Sequence, residues 1–489
     1  MRLWISASLT QPSLDALNPL WPDDAAAAVV VLDHEAVVAV TPAAARLGVR
    51  PGMRKKGAGA LAPHAEFVQR DAARERQLLE AAALAMLQYT PEVALGPDAS
   101  LLLDVGAGLR VFGGPAALCR RIRDSLRQLG CHARLGMGPT AHGAWLLAAR
   151  ATPGPRRVLR ETPLIRRIAN LPCLLLPPAR PHRDWLDGIG CRTVAALMKL
   201  PRSGLQRRCG RELLDLLDQA CGRKPELFTW VQAPPEFSAR VELLFRIDHA
   251  PAVLVVARRL VQQLAGWLHA SQTATNAIVL VLEHERGRYA RPPTRLTVSL
   301  ANPGWEADHL LRLLKEHLDR MAMEAPAIAI GLHADAIVPR ATPSETLFTD
   351  PGGTPADHDR LLELLVARLG PDRVLAARPL ADHRPEVASR WLPALDRGRP
   401  DAEACGFAAE RPLWLLRQPI PLVMRQHRPY YGTPLRLVRG PERIESGWWD
   451  GAPIARDYFV AESTDRIRYW IYLDQALEEP RWYLHGLYA

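Results

Sequence analysis

The sequence predicts an α+β multidomain protein, and three stretches of the chain support this prediction. Residues 101–105 form a short apolar block behind the turn signal Gly96-Pro97, which is typical of a buried strand. Residues 241–337 follow the order strand, helix, strand, strand, helix, strand. Residues 414–489 combine strand-like runs with five tryptophans, which predicts a small β-rich C-terminal domain. A chain of 489 residues is also too long for a single hydrophobic core.

The first third of the chain alternates between short strands and helices. Glycine-rich turns follow the central strand 101–105 and lead into a helix whose apolar residues recur at helical spacing. The predicted elements are, in order, strands at 3–8, 25–32 and 36–40, helices at 42–47 and 71–89, the central strand, a helix at 116–129, a strand at 133–137 and a helix at 141–150.

Composition limits the classes of function that are open to this chain. The hydrophobic fraction of 48% is that of a globular protein, and the net charge of +10 favours a polyanionic partner such as nucleic acid. Arginine carries most of this charge, so the bias of a high-GC genome is the alternative explanation. Seven cysteines without a CxxC pair predict reduced thiols and no zinc site. Because no long apolar run occurs, we expect a soluble, cytoplasmic protein without membrane contact.

Arginines and two glycines mark residues 165–232. Gly188 and Gly190 permit a tight turn at which backbone N–H groups can approach a phosphate, at the start of a helix predicted over 193–200. The arginines beside this turn are Arg192, Arg202, Arg207 and Arg208. This combination predicts DNA binding that depends on salt and not on base sequence.

A second group of arginines lies in a predicted hairpin of the segment 240–338. Its members are Arg286, Arg288, Arg291 and Arg295. They could follow a DNA backbone, and an exposed hairpin kept soluble by charge is an equal alternative.

Four stretches, in this order along the chain, resemble motifs of the Y-family (lesion-bypass) DNA polymerases. Residues 45–53 resemble the fingers motif, and Leu103-Asp104-Val105 resembles the end of the acidic motif in the palm. Gly188-Ile189-Gly190 resembles the helix-hairpin-helix of the thumb, and residues 240–338 have the layout of the little finger.

The tail makes this resemblance more specific. Residues 440–451, 456–459 and 482–489 resemble the C-terminal region of ImuB-type proteins, the polymerase-like subunits of the bacterial damage-induced mutasome. The resemblance covers essentially the whole chain. The domains it implies are a palm (1–24 and 75–164), fingers (25–74), a helix-hairpin-helix thumb (165–232), a little finger (238–340), a linker (341–400) and a partner-binding C-terminal domain (401–489).

The resemblance also identifies where catalytic carboxylates should lie. Polymerases hold two metal ions ~3.5–4 Å apart with carboxylates from neighbouring strands. Active family members have one aspartate on the first strand and an Asp-Glu pair at the start of the second. Here the first strand offers only Ser6 and Ser8, and the pair falls on Ala99-Ser100. We therefore expect no catalytic residues, no bound metal and no cofactor, which points away from an enzyme.

Two other carboxylates leave an alternative open. Asp98 lies one residue out of register, and Asp98 and Asp104 are ~20 Å apart at ~3.3 Å per residue of strand. An active Y-family polymerase would need both of them and a third, unrecognised ligand.

The triphosphate pocket of the family is only half present. The fingers tyrosine falls on Ala43, whereas the neighbouring arginine corresponds to Arg46. The palm lysine falls on Arg156 or Arg157, and we take Arg157 with Arg46 as a vestigial pocket. A solvated basic face is the simpler interpretation.

Protein partners follow from the resemblance and from one short motif. Leu347-Phe348 lies where the family places its sliding-clamp peptide, although the usual glutamine is missing. Leu413-Trp414 is a second candidate, but its apolar flanks predict a buried strand. The resemblance further implies a RecA-like accessory protein and an error-prone replicative-type DNA polymerase as partners.

Overall fold

The computed structural model describes residues 2–17, 27–151, 154–285, 290–340, 354–396, 411–476 and 479–488. The chain divides into two units, Met1–Arg360 and Leu361–Ala489. Both units contain helices and strands, so the predicted α+β class is confirmed.

The described part of the first unit has eleven strands. They are β1 (Trp4–Leu9), β2 (Val29–Asp33), β3 (Ala36–Val40), β4 (Glu66–Gln69), β5 (Val93–Gly96), β6 (Ser100–Asp104), β7 (Ala133–Gly138), β8 (Ser238–Ile247), β9 (Thr273–His284), β10 (Thr294–Gly304) and β11 (Ala327–Pro339). Its helices are α1 (Pro12–Leu17), α2 (Pro42–Arg46), α3 (Lys55–Leu61), α4 (Ala72–Met86), α5 (Pro115–Gln128), α6 (Ala141–Ala149), α7 (Glu161–Ala169), α8 (Arg183–Gly188), α9 (Val194–Lys199), α10 (Arg202–Cys209), α11 (Arg211–Ala220), α12 (Ala250–Ala270) and α13 (Ala307–Arg320).

Strands dominate the described part of the second unit. Helix α14 (Pro355–Leu369) begins just before the division between the units and ends after it. The strands are β12 (Leu375–Pro379), β13 (Ser389–Pro393), β14 (Trp414–Pro421), β15 (Val423–Arg425), β16 (Arg428–Tyr431), β17 (Thr433–Pro434), β18 (Arg436–Ser446), β19 (Ile454–Glu462), β20 (Arg468–Asp474) and β21 (Arg481–Leu487).

Four antiparallel strands in the order β5-β6-β1-β7 form the central sheet of the first unit. Successive side chains of a strand point to opposite faces, and both faces here are covered. Ile5, Leu101 and Leu103 pack in one core with residues of α4 and α5. Trp4 and Leu102 belong to the other core, which includes α6 and the helices after residue 160. Burial on both faces explains why seven of the eleven residues of β1 and β6 are apolar.

Two further sheets lie in the described part of the first unit. Strands β3-β2-β4 pack with α2 and α3 in the region that the sequence assigns to fingers. Strands β10-β9-β11-β8 form a second four-stranded sheet with α12 and α13. Its strand and helix order is the one predicted for residues 241–337, with bounds that differ by a few residues because the sequence pattern weakens at element ends.

The second unit contains a five-stranded antiparallel sheet in the order β14-β21-β20-β19-β18, which we call the C-terminal sheet. Tyr458, Trp470 and Tyr472 are buried in one of its cores. The unit begins at Leu361, within the range that the sequence assigns to a linker, and the hairpin β12-β13 lies in the same range. Among the described residues, none of the helices is both long and apolar enough to span a bilayer.

Candidate functional site

Three buried hydroxyls of the central sheet lie at the positions where the family resemblance expects carboxylates. Ser8 and Ser100 are cross-strand partners, and Ser6 lies two residues from Ser8 on the same face of β1. Ser6 and Ser100 are fully buried, and Ser8 is 8% exposed. The Ser100 hydroxyl donates to the carbonyl oxygen of Pro97 at 2.6 Å, whereas the Ser6 hydroxyl has no hydrogen-bond partner among the described residues. These groups are neutral, so they offer no charged ligand to a divalent cation.

Helix α6 closes the face above Ser6. Gly136 is the cross-strand partner of Ser6 on β7, and a Cβ atom at Gly136 would come within 2.1 Å of the carbonyl oxygen of Ala144. Helix α6 thus packs directly on β7 next to Ser6, whose side chain is closed off from solvent. In the part of the chain that the structure describes, no cluster of three or more His, Cys, Asp or Glu side chains could hold a metal.

Asp98 lies just before β6 and is held by an arginine. Asp98 and Ala99 both have positive φ values, +53° and +50°, and the carbonyl of Ala99 accepts a hydrogen bond from the N–H of Leu9. Arg180 binds the Asp98 carboxylate through both Nη atoms, with 2.8 Å between Nη1 and Oδ1. The hydrogen bond to Asp98 raises the pKa of Arg180. The carboxylate therefore already has a cationic partner from the arginine-rich segment.

Asp104 lies at the opposite end of β6, opposite Trp4. Its Oδ1 accepts the N–H of Gly106 at 3.0 Å, and Arg2 Nε is 3.6 Å from Oδ2. The structure thus gives Asp98 and Asp104 separate partners and does not bring the two carboxylates together.

The two arginines of the expected triphosphate pocket have different surroundings. Arg46 is exposed in the last turn of α2, and its Nε donates to the Pro42 carbonyl at 3.4 Å. Arg157 lines a pocket of about 360 Å³ with Arg123, Arg134 and Arg156, and Arg46 is not part of that lining. Sequence reasoning missed Arg123 and Arg134 because they come from α5 and β7, whose register with the segment 154–157 is a tertiary feature.

The helix-hairpin-helix turn has the predicted glycine geometry at one position. Gly190 has φ = +70°, whereas Gly188 ends α8 with an ordinary φ value. The helix predicted over 193–200 is shorter, α9 (Val194–Lys199), and the hydroxyl of Thr193 accepts the N–H of Ala196 at its start. One of the N–H groups that a phosphate could use is therefore already bonded within the chain.

The four thumb arginines are exposed but not equivalent. Arg202 forms a two-point ion pair with Asp218, with 3.1 Å between Nη1 and Oδ1. The guanidinium of Arg208 lies over the ring of Trp185 at 5.0 Å, and Arg207 and Arg208 line a pocket of about 340 Å³ beside that ring. Arg192 is exposed at the turn. The surface thus combines cations with an aromatic face, which suits a phosphate backbone and its bases.

The remaining candidates divide between described and undescribed residues. Arg291 pairs with Glu324 at 3.3 Å, and Arg295 is exposed on β10. Arg286, Arg288 and the clamp motif Leu347-Phe348 lie outside the described residues. For the second clamp motif the expectation of burial is wrong, because Leu413 is 100% exposed just before the edge strand β14 and Trp414, its first residue, is 69% exposed.

Comparison with known proteins gives three kinds of match. Residues 22–149 match the model of the impB/mucB/samB family. Protein ImuB of Caulobacter vibrioides (strain NA1000 / CB15N) is 29% identical over 479 residues, which cover 91% of this chain and 100% of that protein. DNA polymerase IV 2 of Mesorhizobium japonicum is 27% identical over 206 residues, or 42% of this chain and 48% of that protein.

Among solved structures, DinB from Sulfolobus solfataricus aligns with 69% of this chain and all of its own, with 16% identity and a TM-score of 0.39. The chain is thus similar to an ImuB protein over most of its length and to the impB/mucB/samB family over residues 22–149.

Proposed function

We propose that this protein is a non-catalytic, Y-family polymerase-like scaffold in damage-induced translesion synthesis and mutagenesis. It binds DNA without sequence preference, binds the sliding clamp and recruits an error-prone replicative-type polymerase together with a RecA-like accessory protein in the cytoplasm. The observation that carries the proposal is the buried hydroxyl group of Ser6, Ser8 and Ser100, which occupies the expected place of the metal-binding carboxylates.

The absence of charge at this place bears directly on catalysis. Two-metal phosphoryl transfer depends on carboxylates that neutralise the ions and fix their positions. Neutral hydroxyls under a closely packed helix can neither neutralise metal ions nor fix their positions. The nearest upstream carboxylate, Asp98, is bound by Arg180. These observations support a protein that has a polymerase-like fold without polymerase activity.

DNA binding is proposed for the thumb arginines. Arg192, Arg207 and Arg208 are exposed, whereas Arg202 shares its charge with Asp218. Each phosphate contact releases counterions, so affinity should fall steeply with salt and depend little on sequence. Arg202 should contribute less than its neighbours because binding DNA would require breaking its ion pair.

Clamp binding is proposed for one of two motifs. Leu347-Phe348 remains the candidate from the family layout, and the exposure of Leu413 and Trp414 makes the second motif accessible to a partner. The recruiting surface for the polymerase and the accessory protein is assigned to residues 401–489 by the same resemblance.

Primer extension with Mg²⁺ or Mn²⁺, run beside DNA binding on the same preparation, tests this proposal. Binding without extension is expected. Extension that disappears in Asp98→Ala or Asp104→Ala would refute the scaffold and support an active polymerase. Extension that survives both substitutions would come from a contaminating enzyme, which a mock purification from cells without the chain identifies.

A further inference from the structure

A cavity of about 820 Å³ lies within the first unit, where α4, the start of β8 and helix α12 meet. Its volume falls in the range of ligand-binding clefts. Neither the central sheet nor the thumb arginines contribute to its lining, so it is separate from the site described above.

The cavity contains a buried arginine that has no partner in the described part of the chain. Arg259 of α12 is only 7% exposed, and its Nε is enclosed without a hydrogen bond to any described residue. Among the residues that the structure describes, none forms an ion pair or hydrogen bond with its guanidinium. Asp15 attracts the Arg259 guanidinium electrostatically but does not bind it. The Asp15 carboxylate is instead hydrogen-bonded to Nδ1 of His132 at 2.7 Å. Burial lowers the pKa of Arg259, as expected for a desolvated cation.

The other arginines of the cavity wall are neutralised. Arg74 lies 3.3 Å from Glu242, and Arg240 lies 2.7 Å from Glu283. An enclosed charge without a partner is strongly destabilising, and proteins seldom keep one unless something binds it. A single negatively charged group bound beside Arg259 would therefore offset the cost of burying its charge.

The wall beside Arg259 is a strand edge. Five consecutive residues, from Ser238 to Glu242, line the cavity. Successive side chains of a strand point to opposite faces of the sheet, so a cavity on one face would contact every second residue. Contact with five residues in a row indicates that the backbone edge of β8 faces the cavity. Strand β8 is the terminal strand of its sheet and pairs only with β11 among the described strands. Its outer N–H and C=O groups are therefore open to another strand.

The cavity wall is held in place by close packing of α12 on α4. A Cβ atom at Gly266 would lie 2.0 Å from the carbonyl oxygen of Leu84, so the helices touch through their backbones. Gln262 extends this contact by hydrogen bonds to Gln88 and Gln128. A pre-formed wall reduces the entropic cost of binding.

We propose that this cavity binds an extended segment of a partner protein that carries one Asp or Glu side chain. The segment adds to the outer edge of β8, a recognised mode of peptide binding, and its carboxylate pairs with the guanidinium of Arg259. Nucleic acid fits less well, because Arg74 and Arg240 already pair with Glu242 and Glu283, so among the described lining arginines only Arg259 remains for a chain of phosphates.

A peptide array probed with the full-length protein tests the proposal. The probes are acetylated, amidated pentapeptides with threonine and valine flanks and a central Asp, Glu, Asn or Gln. Wild-type protein should retain the Asp or Glu peptides at least roughly tenfold more strongly than their amides, as expected for a charge-assisted pair. N-methylation of alternate peptide amides should abolish binding, because it removes the strand pairing.

Arg259→Met should lose the preference for acidic peptides, and Arg258→Met, an exposed neighbour on the same helix, should keep it. The melting temperature shows whether Arg259→Met is folded, and we expect it to equal or exceed that of wild type because an uncompensated charge is removed. Equal binding of Glu and Gln peptides, or unchanged binding by Arg259→Met, would overturn the proposal. Arg259-dependent binding of an oligothymidylate in place of the peptides would also overturn it. None of these results depends on primer extension.

Discussion

The central sheet and the C-terminal sheet are both antiparallel, but their buried polar side chains differ. Ser6 and Ser100 in the central sheet are neutral, and within the described part of the chain the Ser6 hydroxyl has no hydrogen-bond partner. In the C-terminal sheet, Arg456 donates to the Tyr458 hydroxyl at 3.2 Å, and that hydroxyl lies 2.8 Å from Nδ1 of His485. The first sheet thus buries neutral hydroxyls at these positions, whereas the second keeps a connected polar network inside its core.

Ser100→Glu should produce the largest effect. Ser100 is fully buried, and a Cβ atom at Gly96 would lie 2.5 Å from its hydroxyl, so a glutamate has neither space nor solvent there. An unpaired buried carboxylate should lower the free energy of unfolding by about 3–5 kcal/mol, measured by urea unfolding at pH 7.5. We expect Mg²⁺ to restore none of this loss.

The control for this variant is Ser203→Glu, on an exposed position of α10, which should change stability by less than about 0.5 kcal/mol. A Ser100→Glu protein as stable as wild type, and stabilised further by Mg²⁺, would show that the central sheet still holds an open metal site. The contrast between the two sheets would then be wrong.

Two hydroxyl deletions compare the sheets directly. Tyr458 and Ser6 are both fully buried, and Tyr458→Phe or Ser6→Ala removes a single oxygen. Tyr458→Phe should cost about 1–3 kcal/mol because His485 Nδ1 loses the Tyr458 hydroxyl, whereas Arg456 loses one acceptor and keeps its ion pair with Glu386. Ser6→Ala should be neutral or slightly stabilising, because no hydrogen bond is lost. Equal losses in the two variants, measured by denaturant unfolding, would mean that the Ser6 hydroxyl is bonded in solution.

The sequence predicted the central strand of the first sheet and the element order of residues 241–337, because hydrophobic periodicity and turn residues are local. Residues 101–105 were predicted as a buried strand and are found as β6 (Ser100–Asp104), and the strand and helix order of residues 241–337 agrees with the structure. The serines could be placed by counting back from Asp104. Their shared face then followed from the two-residue period of a strand.

Long-range pairings could not be predicted in this way. Asp98 and Arg180 are 82 positions apart, and nothing in the spacing of either residue indicates the other. The burial of Arg259 could not be predicted either, because an arginine on an amphipathic helix is normally solvated. The exposure of Leu413 was also missed, since an apolar run on an edge strand has the same pattern as one in a core.

Acid should weaken the C-terminal network through His485. Arg456 donates to the Tyr458 oxygen, so the Tyr458 proton points to Nδ1 of His485, which must be unprotonated to accept it. Burial lowers the pKa of His485 from its ordinary value of 6.5. The unfolded chain then binds more protons than the folded one below pH ~6.5, so the free energy of unfolding falls as the pH drops, by up to about 1.4 kcal/mol per pH unit.

Urea unfolding followed by tryptophan fluorescence between pH 8 and 5.5 measures this slope. His485→Gln should flatten it. Burial also lowers the pKa of His269 in the first unit, but that contribution remains in both proteins and cancels in the difference. An unchanged slope in His485→Gln would show that the histidine is protonated or solvated in the folded chain.

The ion pair between Asp98 and Arg180 should give the smallest effect on stability. Its side chains are 37% and 44% exposed, so a double-mutant cycle with Asp98→Asn and Arg180→Gln should yield a coupling of about 0.2–1 kcal/mol. Arg180→Gln also frees the carboxylate closest in sequence to the serines without adding a charge. If the central sheet were a latent active site blocked by this arginine, Arg180→Gln would gain metal-dependent primer extension. We expect no extension, because a released Asp98 would still face buried hydroxyls where two-metal catalysis requires further carboxylates.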